Sequence, residues 1–172
     1  IDSDTYLLDI EKVKELLENS PKGTYKGLIP VDFAGRAVDL EAYRKLADQH
    51  GLWIIEDACH APGGYFVDSN SVTQYCVNSN FADLSIFSFH PVKHIACGEG
   101  GMITTNDEVL YKKLLNLRSH GISKNESDYI NSVDFANGTA NKNNIYPAWY
   151  MEMQNLGFNY RLTDFQAALG IS

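Results

Sequence analysis

No run of about 18 consecutive apolar residues occurs in this sequence, and Ile1 to Asp9 contain no basic segment followed by an apolar one. The patterns of a membrane span and of a secretory leader are therefore both missing. Positive charge is short as well. Lys and Arg number 14 against 22 Asp and Glu, a formal net charge of −8, which opposes a general attraction to nucleic acid or anionic lipid and leaves any phosphate to be caught by a local site. Cysteine is scarce and odd in number. Cys59, Cys76 and Cys97 lack a framework spacing and are expected as free thiols in a reducing compartment, the cytoplasm. Neither G-x-G-x-x-G nor a Walker A string is present, which removes the usual sequence signs of a dinucleotide or triphosphate site. The triplets Asn125-Glu126-Ser127 and Asn137-Gly138-Thr139 match a glycosylation pattern, but such triplets arise easily by chance and mean little without a leader.

What the sequence does have is a regular alternation of elements. Its 172 residues, 44% of them hydrophobic, can bury one sizeable core, and length alone favours one domain. Asp9 can cap a helix to about Asn19 with Ile10, Val13, Leu16 and Leu17 on one face. The apolar run Leu28 to Phe33 reads as a strand, and Asp39 caps a helix facing inward through Leu40, Tyr43, Leu46 and Ala47 and stopped by Gly51. Leu52-Trp53-Ile54-Ile55 then reads as a strand buried on both faces of a parallel sheet, completing a βαβ unit. A glycine-bearing loop from Ala61 to about Asn80 leads to strands Leu84–Phe89 and Gly101–Thr105. Asn106 or Asp107 opens a helix with Val109, Leu110, Leu114, Leu115 and Leu117, closed near Gly121. The polar stretch 123–147 reads as a long loop. Thr163 with Gln166 forms a capping box for a last helix from Asp164 to Leu169. The expected fold is α/β, a mostly parallel sheet flanked by helices.

In such sheets ligands bind beyond the carboxyl ends of the strands. Two strand ends carry chemistry there: Glu56-Asp57-Ala58-Cys59-His60, and His90-Pro91-Val92-Lys93-His94 followed by Gly98-Glu99-Gly100-Gly101. From spacing alone, Lys93 and a carboxylate could form an ordinary salt bridge. His90, His94 and Cys97 have a spacing reminiscent of zinc ligands, but Lys93 interrupts them and no fourth ligand is evident, so no metal is expected. The glycines at 98, 100 and 101 precede a strand rather than open a helix, so they shape a turn near Lys93 rather than cradle phosphate. Cys59 reads as a packed thiol rather than a nucleophile.

The full strings Glu56-Asp57-Ala58, Ser88-Phe89-His90-Pro91-Val92-Lys93 and Gly98-Glu99-Gly100-Gly101 resemble the fold type I sugar-nucleotide aminotransferases. With Arg118-Ser119-His120-Gly121 and Gly157-Phe158-Asn159-Tyr160-Arg161-Leu162-Thr163 they occur in that family's order, and the resemblance runs from about Ile29 to Gly170. It implies pyridoxal 5′-phosphate (PLP) as cofactor, held by Lys93 as a Schiff base, with Lys93 then serving as the proton-moving base. Asp57 matches the carboxylate that keeps the pyridine nitrogen protonated. His60 stands where many members have Gln and would donate a hydrogen bond to the cofactor's phenolic oxygen; a core histidine bonded to a backbone carbonyl is the alternative. Ser88 matches the phosphate-binding hydroxyl. Asn159 matches an asparagine reaching the phosphate from a neighbouring subunit, which implies a homodimer with a shared site.

The wording around Asp57 and Lys93 is nearest to the branch of the family in the pseudaminic acid pathway. That branch aminates the 4-keto group of a UDP-linked 2-acetamido-2,6-dideoxy sugar with L-glutamate as donor. The rivals are a PLP-dependent sugar dehydratase, which would carry histidine in place of Lys93, a non-catalytic binding or regulatory protein on the same fold, and a nucleotide-binding α/β domain. The resemblance further implies that residues 1–172 are a partial large, PLP-binding domain, lacking an N-terminal segment and a C-terminal small domain. Such a fragment is expected to be inactive alone.

Overall fold

The computed structural model describes residues 1–138 and 144–172. The chain divides into two units, Ile1–Glu108 with Leu162–Ser172, and Val109–Arg161. The first unit holds helix α1 (Ile10–Glu18), strand β1 (Gly27–Leu28), helix α2 (Leu40–His50), strand β2 (Trp53–Asp57), a hairpin of β3 (Tyr65–Val67) and β4 (Thr73–Tyr75), strands β5 (Leu84–Ser88) and β6 (Gly101–Thr104), and helix α5 (Asp164–Ile171). The main sheet runs β1-β2-β5-β6. The first three strands are mutually parallel, and β6 lies antiparallel to β5 at the edge. The expected α/β fold with a mostly parallel sheet is what forms.

Local signals account for the helices. The Asp9 carboxylate accepts the N–H groups of Glu11 and Lys12, and that of Asp39 accepts Ala42 N–H, so both Ncap positions satisfy donors that the first turn leaves open. Gly51 closes α2 in the left-handed conformation, φ 67°. The Thr163–Gln166 box is formed in both directions. Leu40, Tyr43, Leu46 and Ala47 of α2 are buried with Val13 and Leu17 of α1 and Ile54 of β2 in one apolar cluster. Leu16, expected on the inward face of α1, is instead half exposed.

Several strand expectations need correction. The run Leu28–Phe33 does not form one strand: Pro30 cannot donate to a ladder, β1 stops at Leu28, Val31 makes only an isolated bridge to Asp57, and Phe33–Gly35 turns as a 3₁₀ segment. Strand β2 is not buried on both faces. Ile54 and Glu56 point inward and are fully buried, whereas Trp53 is 44% exposed on the other side. Its indole lies against Gly27, where an added Cβ would come within 2.1 Å of the ring. The loop 61–80 contains the β3–β4 hairpin, whose turn is held by Asp68 Oδ1 accepting the N–H groups of Asn70 and Val72.

The second unit contains α3 (Glu108–Leu117) from Val109 onward, the strand pair β7 (Ile122–Ser123) and β8 (Glu152–Met153), and the short helix α4 (Val133–Asn137). No residue of α3 is buried, despite its amphipathic pattern. The stretch 123–147 lies partly outside the described residues, as does Thr139 of the second triplet; its described part holds a 3₁₀ turn at Glu126–Asp128 and α4. Gly121 has φ 68°, and a Cβ there would meet Asn155 O at 1.8 Å. No helix among the described residues is long and apolar enough to cross a membrane.

Candidate active site

Strands β2 and β5 are parallel, with Asp57 opposite Ile86, so their carboxyl ends bring Asp57 and Ser88 to the same edge of the sheet. Beyond Ser88 the chain leaves the sheet and returns to it. Phe89 N–H donates to Gly100 O at 2.8 Å and Cys97 N–H to Phe89 O at 2.9 Å. Gly98, φ 82°, supplies a left-handed turn inside this closed loop. Lys93 sits within it, its N–H on His90 O at 2.9 Å. The glycine-rich string thus shapes a turn, as expected.

Lys93 is half-buried. Among the described residues its ammonium makes no ion pair or side-chain hydrogen bond, so the salt-bridge alternative is not realised. Asp57 is half-buried and spends Oδ1 on Cys59 N–H at 3.1 Å. The two charges meet at Cys59. Burial and the Asp57 carboxylate push its thiol up to about 11, while Lys93 acts in the opposite direction. Cys59 is a free thiol, as are Cys76 and Cys97. A thiol held protonated in this way is a poor nucleophile.

His60 follows on the turn that closes Ala61 N–H onto Ala58 O. Its ring packs on Phe33 at 5.9 Å between centroids, inclined by 48°, and its nitrogens make no hydrogen bond among the described residues, so the core-histidine alternative is not realised. Among the described residues, Ser88 Oγ accepts one long contact, 3.4 Å, from His90 N–H. Asn159 lies in the second unit, exposed, on a backbone bridge to Ser119. The structure therefore gathers Lys93, Asp57, Ser88 and His60 at the strand ends of one unit and describes Asn159 in the other.

His90, His94 and Cys97 do not gather into a ligand set; the two histidines are exposed and Cys97 is buried. The trio that does converge among the described residues is Asp32, Glu56 and Cys76, all buried, with donor atoms within 4.8 Å of one another. The sequence reading passed over it. The signal was present as two carboxylates inside apolar strand runs, at Val31-Asp32-Phe33 and Ile54-Ile55-Glu56. Phe33, against which His60 packs, was likewise not singled out.

A half-buried lysine unpaired among the described residues, a carboxylate with one oxygen unspent and a hydroxyl with one long contact, all at or beyond the ends of parallel strands, fit a cofactor with an aldehyde, a basic ring nitrogen and a phosphate. Comparison with known proteins agrees with this fit. A 142-residue stretch is 37% identical to the UDP-4-amino-4,6-dideoxy-N-acetyl-beta-L-altrosamine transaminase of Campylobacter jejuni subsp. jejuni serotype O:23/36, covering 83% of this chain and 30% of that protein. The structure is similar to Helicobacter pylori PseC, an aminotransferase involved in the biosynthesis of pseudoaminic acid, with TM-score 0.70 and 30% identity over 96% of this chain and 36% of that one. It is also similar to Bacillus subtilis NtdA with bound cofactor PMP, with TM-score 0.67 and 27% identity over 99% of this chain and 31% of that one. The chain spans 38% or less of the length of five curated relatives it matches. The model of the DegT/DnrJ/EryC1/StrS aminotransferases matches residues 1–172, and this chain belongs to that family.

Proposed function

We propose that the protein carrying this chain is a PLP-dependent aminotransferase acting on a nucleotide-linked 4-keto-6-deoxy sugar. Our reading of its substrate is UDP-2-acetamido-2,6-dideoxy-hex-4-ulose, with L-glutamate as amino donor, and of its setting the cytoplasm. The observation that carries it is Lys93, unpaired among the described residues, at the same carboxyl edge of the sheet as Asp57, in a chain of an aminotransferase family. The relatives named as altrosamine transaminases and as PseC support the sugar.

PLP, when bound, supplies a ring that accepts electrons from the substrate carbon. Lys93 is the amine that would hold it and then move a proton at that carbon. Asp57 would hold a proton on the ring nitrogen through its negative charge. His60 would donate to the phenolic oxygen, its ring steadied by Phe33. Ser88 Oγ would bind the phosphate, joined by Asn159 from a second copy in a homodimer with a shared site.

The test is Lys93→Ala in the full-length protein. Turnover with glutamate and the UDP-keto sugar is expected to fall about 10³-fold or more, together with the visible absorption of lysine-bound cofactor. Substantial turnover retained in Lys93→Ala would overturn the assignment.

A further inference from the structure

On the buried face of the strand that carries Asp57, the carboxyl groups of Asp32 and Glu56 meet with no cationic side chain paired to them among the described residues. Asp32 is fully buried and Glu56 is 1% exposed, and their oxygens lie within 4.8 Å of each other and of the Cys76 thiol. Each spends one oxygen on a loop. Asp32 Oδ1 accepts Val38 N–H at 2.8 Å, and Glu56 Oε2 accepts Val77 N–H at 2.9 Å. Those loops are held in costly backbone: Ala34 has φ 53°, Val77 φ 64° and Ser79 φ 54°, a region in which a β-branched residue is an outlier. The backbone then ties the pair to the candidate site. Asp32 N–H donates to Asp57 O at 2.9 Å, and Asp57 N–H donates to Pro30 O at 2.9 Å.

The groups facing the pair from the surrounding elements are the Cys76 thiol, the Asp57 carboxylate and the Ser85 hydroxyl. None is a cation. Two ionised carboxylates side by side in such a core repel each other and have lost their hydration. Asp32 Oδ2, fully buried, makes no hydrogen bond of normal geometry among the described residues, the Cys76 S–H beside it being a weak donor. A single proton between the two groups removes one charge and provides a stronger donor. A metal ion suits the trio less well, since backbone N–H groups already hold one oxygen of each carboxylate, and burial beside them drives the Cys76 thiol far from its ionised form.

We propose that Asp32 and Glu56 are positioning residues that share one proton, and that this proton clamps the loops at 33–38 and 76–79 onto the end of β2, keeping Asp57 in place. The importance of Asp57 rests on the function proposed above; the clamp itself does not. Burial raises both carboxyls, Glu56 to about 7. A carboxyl raised in the folded state stabilises fully below its unfolded value, near 4.5, and that contribution is lost as pH rises through about 7.

The experiment compares the full-length protein with Glu56→Gln near pH 5 and near pH 8, by unfolding midpoint and by backbone hydrogen exchange. Glutamine keeps an acceptor for Val77 and offers an N–H to Asp32 Oδ2, so this variant retains the packing, removes the titration of Glu56 and favours the ionised form of Asp32. From the lower to the higher pH the parent should lose several degrees more than the variant. Protection of the Val38 and Val77 amides, corrected for intrinsic exchange, should fall about tenfold or more in the parent alone. An alkaline limb near neutrality in the parent's turnover should be displaced in Glu56→Gln, and an unchanged limb would overturn the positioning role. Identical pH dependence of stability in the two proteins, or stoichiometric zinc that disappears in Cys76→Ser, would overturn the shared proton. The stability and exchange measurements need no cofactor, so they decide the clamp even if Lys93→Ala refutes the aminotransferase reading.

Discussion

Cys59 reports on its neighbours. Its thiol, pushed to about 11 by burial and by Asp57, should alkylate at pH 8 on the order of 10²-fold more slowly than an unperturbed cysteine, because only the thiolate reacts. Asp57→Asn should speed that reaction and Lys93→Ala slow it further, as measured by mass spectrometry of the Cys59 peptide; no response to either change would mean that the three side chains do not meet as described. At this scale the candidate site was largely legible, since Asp57, His60, Ser88 and Lys93 follow strands whose ends the apolar runs mark. Glu56 was not. Side chains alternate along a strand, but the unbroken run Leu52–Ile55 hid which face each residue takes. Only Gly27, by making room for Trp53, explains why the indole lies outward and Glu56 inward.

Helices were the most readable elements, because their caps are written in single residues: Asp9, Asp39 and Thr163 all act as expected. Short strands were the least. Three-residue β3 and β4 carry too few positions for a period to show, and their pairing depends on the Asp68 turn rather than on an apolar pattern. The amphipathic pattern of α3 is real in sequence, yet burial does not follow from it. Position-specific sterics should outweigh capping. Asp39→Ala should cost about 1 kcal/mol, whereas Gly121→Ala, which needs φ 68° and drives a Cβ to 1.8 Å from Asn155 O, should cost more than about 2 kcal/mol. Denaturant titration of the two variants checks the order, and equal costs would mean that the 117–121 turn relaxes more easily than its geometry suggests.

For the molecule as a whole, alternation of strand and helix patterns was enough to anticipate a mostly parallel sheet, because a parallel pair requires a long crossover and this sequence supplies one in α2. The direction of β6 was not legible, since a strand of four residues reads the same in either sense. That direction has a kinetic consequence. Because β6 runs back along β5, the loop bearing Lys93 is closed by contacts between residues 89 and 100, whereas Asp57 reaches the same edge only when β2 finds β5 across the interval from Asp57 to Ile86. Loop-closure entropy adds about 0.9 kcal/mol to the longer step, and distant parallel pairing is intrinsically slow. During refolding, pulse-labelled hydrogen exchange should find the Phe89 and Cys97 amides protected before that of Ala58, which donates to Ile86 O. The amine would then be mounted first and wait for its carboxylate, so the slower pairing, rather than the lysine loop, would set when a nascent chain first becomes able to capture a cofactor.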